Sequence, residues 1–352
     1  METWKRTVYI SLVCVFCTAF GVSQLAPILP LYFHDLGVQT PESMSLWSGL
    51  ATGATYIIVC LAAPFWGRVA DKKGRKITLI RSSFGMALCN ILIAFQTTPE
   101  GVVLIRLVQG LVSGFYSASI TLIASESPIE RTGWALGLLA SANLAGSLIG
   151  PLLGGYIADT VGIRNDFIIV GALMGLAGVL ATIFIHENYV PQPNPEKLSL
   201  RKLKEQIPEF NSIVALCVAS FIYAICIMSL QPVISVYIKG IVPSDTENLA
   251  FIAGAVFSAM GIAQLMSSSP LGKLVDKIGP RKVLVVSLIY VGILNIPQAY
   301  VSDVYQLAII RFLQGFGLGG MLPALNTYLS SKTPREFTGQ VFSYNQSCLF
   351  FG

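Results

Sequence analysis

The stretch GRVADKKGRK, residues 67–76, sets five cations and one carboxylate side by side in a chain that is only 12% charged. It is flanked by LWSGLATGATYIIVCLAAPFW (46–66) and ITLIRSSFGMALCNILIAF (77–95), two runs long enough to cross a bilayer as helices, which takes about 20 apolar residues. The chain as a whole is 54% hydrophobic over 352 residues. Further runs lie at 8–33, 101–124, 134–157, 167–185, 212–238, 249–271, 283–301, 304–329 and 338–352. Lipid offers the backbone no hydrogen-bond partners, so spanning segments are helices or closed barrels, and continuous apolarity excludes the alternating barrel pattern. The expected fold is therefore an all-α polytopic membrane protein with about 11 spans.

The first run is too long for a signal peptide and carries no small-residue cleavage site. The seven cysteines all fall in predicted spans, which indicates no disulfide framework, and Cys14-x-x-Cys17 inside a lipid-embedded helix points to neither metal nor redox chemistry. Orientation follows the placement of Lys and Arg. Of the 23, Arg164 and Lys239 alone fall in loops on one side, and Arg106 and Arg311 lie within spans. All others share the side of the N-terminus, which is expected to be cytoplasmic. GRVADKKGRK is then a cytoplasmic loop between spans 2 and 3.

The loop recurs. GKLVDKIGPRK (272–282) repeats Gly67, Asp71, Lys72 and Gly74 as Gly272, Asp276, Lys277 and Gly279, each 205 residues later. The same offset pairs Arg106 with Arg311, Gln109 with Gln314, and Gly110 with Gly315. Two parallel six-helix repeats are expected: a bundle over 1–185, a cytoplasmic linker over 186–211, and a second bundle over 212–352. This is a transporter architecture with the substrate site near the midplane between the halves. Gly352 corresponds to Gly146 in span 5, so the second repeat is expected to be incomplete and truncated within span 11.

On these residues the chain resembles the major facilitator superfamily. GRVADKKGRK is similar to that family's loop 2–3 signature G-x-x-x-D-x-x-G-R-[RK], and IRLVQG in span 4 to its R-x-x-Q-G motif. GSLIGPLLGG (146–155) resembles the span-5 antiporter signature. GVSQLAPILP (21–30), with Gly21, Pro27 and Pro30, resembles the span-1 motif of twelve-span drug:proton antiporters. The resemblance covers the whole chain and is greatest to MdtG-type multidrug and tetracycline efflux proteins.

Several roles follow as expectations. Asp71 sits where a carboxylate can accept from the exposed amides at the start of another helix, an interaction worth up to ~2 kcal/mol. The resemblance implies that this partner is span 11, beginning near Thr338, with Asp276 and the start of span 5 near Gly133 as the symmetric pair. Gly67, Asp71, Gly74, Arg75, Lys76, Gly272, Asp276 and Gly279 then form a conformational switch. Arg75 is not duplicated, since Pro280 replaces it, so the first copy is expected to matter more. Gly146, Gly150 and Gly154 are spaced four apart on span 5, with Pro151 and Gly155 beside them. Such a stripe lets helix backbones approach closely in lipid, and Gly254, Ser258 and Ala259 on span 8 offer a similar surface. A tight contact at the boundary between the halves is expected.

Arg106 lies within a span, where arginine costs roughly 2.5–3.5 kcal/mol and marks function. About 8 Å deep in span 4 by helical rise, it needs an anion or carbonyl partner. Asp35 at the end of span 1 and the deeper, neutral Gln24 are the candidates, and a coupling role between protonation and opening is assigned to Arg106 and Asp35. Every acidic residue reads as a loop or span-end residue, so the proton carrier is not otherwise identified. Gln24, Tyr116, Asn143 and Gln264 are candidate cavity groups, equally readable as interhelical hydrogen-bonding residues.

GFGLGG (315–320) matches G-x-G-x-x-G but lies mid-helix with no preceding strand, and no Walker-type G-x-x-x-x-G-K-[ST] occurs. No catalytic or metal constellation is present, and no cofactor, ATP or nucleic-acid partner is implied. The expected function is a secondary active transporter, monomeric in a bacterial plasma (inner) membrane, exporting lipophilic or cationic drugs in exchange for protons. An importer or facilitator of a small solute, or a non-transporting truncated remnant, is the alternative.

Overall fold

The structure is a computed structural model that describes residues 3–187, 204, 206–207, 209–243, 246–334 and 337–351, with the side chains of Asp71 and 338–340 among those outside the description. Most of the expected linker, 186–211, falls outside it. Among the described residues, ten helices are long and apolar enough to cross a membrane. Their outward faces carry large apolar side chains, with Leu61, Val286 and Ile296 each 65% exposed, as a chain bathed in lipid tails requires.

The first six spans are built from eight helices. Span 1 is α1 (Thr3–Ser23) and α2 (Leu25–Asp35); spans 2 and 3 are α3 (Pro41–Lys73) and α4 (Arg75–Ala94). Span 4 is α5 (Pro99–Val112) and α6 (Phe115–Glu126); spans 5 and 6 are α7 (Ile129–Val161) and α8 (Ile163–Phe184). Span 7 follows as α9 (Phe210–Met228) and α10 (Gln231–Ile241), span 8 as α11 (Leu249–Ile278), span 9 as α12 (Pro280–Gln298) and span 10 as α13 (Val304–Lys332). Helix α14 (Thr338–Phe351) lies where span 11 is expected.

Local sequence explains where these helices begin. Spans 2 and 4 open on the same tripeptide, Thr-Pro-Glu. Thr40 and Thr98 accept from the amides of Ser43 and Gly101 at 3.3 Å, Pro41 and Pro99 occupy the first turn where no N–H is needed, and Glu42 and Glu100 complement the helix dipole.

The 205-residue offset holds in three dimensions. Gly74 turns α3 into α4 at φ 93°, ψ 158°, and Gly279 turns α11 into α12 at φ 93°, ψ 148°, a region essentially closed to residues with a Cβ. A Cβ on Gly110 would strike the carbonyl of Thr55; one on Gly315 would strike the carbonyl of Met260, 205 residues after Thr55. Span 1 breaks at Gln24, and span 7 breaks at the matching Ser229–Leu230. The two parallel repeats are thus visible in backbone geometry as well as in sequence.

By packing, the described chain divides into two compact units, one comprising Met1–Pro193 with Pro232–Ala255, the other Asn194–Gln231 with Val256–Gly352. In the first, α1 packs along α7 and α4 along α8. Val15, Leu79, Leu122, Leu139 and Ala177 form one buried cluster, and Ile28, Tyr32, Phe33, Ile93, Phe167 and Ala250 form another. In the second unit α12 lies along α13 and α9 along α14, around Leu216, Val283, Leu325 and Leu329. GFGLGG lies within α13, where Gly315 and Gly319 admit the α11 backbone and Gly317 admits Tyr290.

Candidate functional site

Helix α7 has two glycine faces. Gly146, Gly150 and Gly154 sit against α1 and its junction with α2: a Cβ on Gly146 would come within 2.5 Å of the Phe16 carbonyl, one on Gly150 within 2.5 Å of the Phe20 carbonyl, and one on Gly154 into the Gln24 side chain. The stripe expected to seal span 5 against the second repeat therefore seals it against span 1. The contact with span 8 is made by the neighbouring face. Gly155 lies against the Ala250 carbonyl, and Gly254 lies against that of Pro151. A side chain of any size on either glycine would wedge α7 from α11.

One helical turn beyond Gly155, Asp159 completes this seam. Its carboxylate accepts from two successive amides in the first turn of α11, Ala250 N at 3.1 Å and Phe251 N at 2.7 Å. Tyr156 meets Phe251 edge-on, ring centroids 6.4 Å apart. The first amides of a helix have no intrahelical acceptor, and the dipole favours an anion there. Sequence reading missed Asp159 because an acid at a span end reads as solvated. The signal was its register, four residues after a glycine already assigned to a close contact.

Both intramembrane arginines bond to the glutamine three residues on. Arg106 Nη1 donates to Gln109 Oε1 at 2.7 Å, and Arg311 Nη1 reaches Gln314 Oε1 at 3.5 Å and Met260 Sδ at 3.4 Å. All four residues are buried. The expected pairing of Arg106 with Asp35 is not what the structure holds. Asp35 is 57% exposed at the end of α2, beside His34 at 3.8 Å. Nor is Gln24 the partner of Arg106. Fully buried at the span-1 break, it donates through Nε2 to Asp166 Oδ2 at 2.9 Å. Asp166, in the first turn of α8, is fully buried too, which its place at the edge of an apolar run concealed.

Of the other candidate cavity groups, Tyr116, Asn143 and Gln264 are half-buried, and Tyr116 packs against the cluster around Leu122. Gly21 gives close passage to Val170 and Met174 of α8, and Pro27 and Pro30 are buried in α2.

The loop 2–3 residues are engaged locally. Glu187 accepts from the amides of Arg75 and Lys76, each at 2.8 Å, and Lys76 Nζ donates to the Thr182 carbonyl at 2.8 Å. Asp276 is exposed, and Gly67, Gly133 and Gly272 have open space where a Cβ would stand. The expected Asp71 contact lies outside the described side chains, as does Gly339 beside Thr338. The cysteines are free.

The model of the Major Facilitator Superfamily matches residues 11–242 and again 216–352. This chain belongs to that superfamily. Among curated relatives, "Multidrug resistance protein MdtG" of Salmonella dublin is 38% identical over 344 residues, covering 98% of this chain and 85% of the relative. "Multi-drug resistance efflux pump PmrA homolog" of Lactococcus lactis subsp. lactis is 40% identical over 349 residues, covering 99% and 86%. Solved structures of transporters share the fold. A bacterial homologue of the human lysosomal transporter Spinster, captured inward-facing and unoccupied, aligns with TM-score 0.77 at 14% identity over 100% of this chain and 80% of that one. The nucleoside transporter NupG aligns with TM-score 0.78 at 13% identity over 99% and 88%. As a superfamily member the chain is a multi-pass membrane transporter, and the resemblance to the MdtG type read from its motifs is borne out by these relatives.

Proposed function

We propose that the protein exports lipophilic or cationic drugs in exchange for protons, by alternating access, across a bacterial plasma membrane with its N-terminus in the cytoplasm. The observation that carries this reading is the α7–α11 seam. Glycines at Gly155 and Gly254 let the backbones of the two repeats touch, and Asp159 closes the end of the contact on bare amides. Such a contact is dense enough to exclude a leak. It is also reversible, because the amides at a helix start and a carboxylate at a span end are both readily taken up by water when the helices part. A contact made in one state and lost in another biases the equilibrium between them. The names of the relatives support a drug as cargo, and the neutral character of most buried polar groups suits a lipophilic one.

Within this reading Asp71 latches the cytoplasmic side and Asp159 the opposite side, each carboxylate acting on the start of a helix from the other repeat. The cations after Gly74 and Glu187 fasten loop 2–3 to the end of span 6, so that the latch moves with its bundle. Arg106, held by Gln109, contributes to coupling.

Cells lacking their own exporters and expressing the chain should retain less ethidium than controls, and a protonophore should abolish the difference. Asp71→Asn should insert normally and lose efflux. Accumulation above the control would mark an importer instead, and efflux indifferent to the protonophore would remove the proton as driving ion.

A further inference from the structure

We infer that Asp166 and Gln24 form a buried proton-binding site, in which Asp166 is held as a neutral carboxylic acid paired with the Gln24 amide. Both side chains are fully buried. Their one mutual bond runs from Gln24 Nε2 to Asp166 Oδ2 at 2.9 Å. The two remaining oxygens, Asp166 Oδ1 and Gln24 Oε1, are buried acceptors without a partner among the described residues. Two orphaned acceptors on two bonded side chains share one remedy. A proton on Oδ1 turns that oxygen into a donor and makes Gln24 Oε1 its acceptor, closing an acid–amide pair in which every polar atom is used. An ionised Asp166 would instead leave a buried charge with a single neutral donor, an arrangement proteins avoid.

Nearby charges do not supply the missing compensation. On α2, Tyr32 donates to the carbonyls of Ile93 and Gln96, and His34 and Asp35 face each other at the exposed end. Asp159 of α7 is occupied by the α11 amides, and Tyr156 packs on Phe251. Arg164 of α8 donates to Gln96 O at 3.3 Å. Cys14 of α1 donates to Ala177 O, and Cys17 of α1 and Cys89 of α4 are free thiols. The start of α8 favours an anion, which makes the site ready to release its proton once water reaches it.

The placement says what would let water in. Gly154 rests on the Gln24 side chain, and the next residue, Gly155, rests on Ala250 of α11. Ala250 also belongs to the buried cluster of Leu25 and Phe167, the residues next to Gln24 and Asp166, so parting α11 from α7 takes away part of the apolar cover over the pair and admits water. Proton release and seam opening become one event, with Oδ1 losing its proton to entering water and regaining it on closure. This coupling to transport rests on the proton-exchange reading above; the buried acid itself does not.

The experiment has two arms on the purified full chain in lipid vesicles. Infrared spectroscopy at neutral pH should show the carbonyl band of a protonated carboxylic acid. Asp166→Asn should remove it, and Gln24→Leu should shift it. Its absence in the parent chain, or its persistence in Asp166→Asn, would overturn the inference. In the second arm, Asp166→Asn should lose at least tenfold of the stimulation of efflux by an imposed pH gradient while still exchanging dye without one. If the parent chain responds to the gradient and Asp166→Asn responds equally, the coupling is wrong. If the parent chain ignores the gradient, the antiport reading falls, and the infrared band still decides the acid.

Discussion

Spans 4 and 10 carry the same motif and end differently. IRLVQGLVSG breaks after Val112, where Gly114 takes φ 113°, and the chain restarts as α6. IRFLQGFGLG runs on through the matching positions as the continuous helix α13. The difference lies in what surrounds the break. Arg81 donates to the carbonyls of Leu111 at 3.1 Å and Ser113 at 2.9 Å, and Trp66 Nε1 donates to Leu111 O at 2.7 Å. The guanidinium stacks 3.5 Å above the Trp66 ring. In the second repeat these positions hold Leu271 and Val286, which can cap nothing. A broken helix in lipid must have its freed carbonyls satisfied by neighbours, and only the first repeat supplies them. The first repeat is thus built to bend at span 4, and the second to stay rigid there.

Removing the cap should break this contrast most strongly. Arg81→Ala deletes two charge-assisted bonds worth about 3 kcal/mol together, so the thermal midpoint and efflux should both fall, whereas Val286→Ala should change either little. Equal effects from the two would mean the break needs no cap. Next in size are the glutamines. Gln109→Ala leaves Arg106 without its side-chain acceptor at a cost of about 2 kcal/mol. Gln314→Ala should cost at least as much: Arg311 keeps Met260 and lies 5.7 Å from the Phe257 ring, but Gln314 also donates to Asn295 Oδ1 at 3.0 Å and accepts from Gln298 Nε2 at 3.3 Å. Thermal melts of both variants would rank them.

The glycine turns give a finer comparison. Alanine at Gly74 or Gly279 meets the same backbone strain, about 1–3 kcal/mol. At Gly74 the added Cβ also comes within 2.7 Å of Glu187 Oε2, while at Gly279 nothing lies within 4 Å. Gly74→Ala should therefore destabilise more, as read by melting. The smallest effect belongs to the exposed pair of Glu209 and Lys332, 2.7 Å apart. The lysine's hydrogen bond holds the Glu209 carboxyl below its usual range. A lowered folded value means the contribution is complete above the ordinary glutamate value of about 4.3 and fades as pH falls through the folded one. Lys332→Ala should flatten only that acidic part of a stability–pH curve.

These contrasts also mark what could be read from residues alone. The spans and the repeat were legible because lipid permits few backbone solutions and the 205-residue offset preserves contacts such as Gly110 on Thr55 and Gly315 on Met260. The Arg–Gln pairs were implicit in their i, i+3 spacing. The break at Ser113–Gly114 was not, since VSGF and the matching GLGG are both small-residue stretches that look alike until Arg81 and Trp66 are brought near. Asp159 and Asp166 were overlooked for a related reason. An acid at the edge of an apolar run is solvated or buried according to neighbours far away in sequence, here Ala250 and Gln24. Asp35, alike in local pattern, proved to be the exposed one.

The central claim is that α7 and α11 part and rejoin during transport. Cysteines at Tyr156 and Phe251, in a chain otherwise freed of cysteine, would let a disulfide or short cross-linker span the seam. Oxidation should halt efflux and a reductant should restore it, whereas full efflux with the link intact would show that the seam never opens.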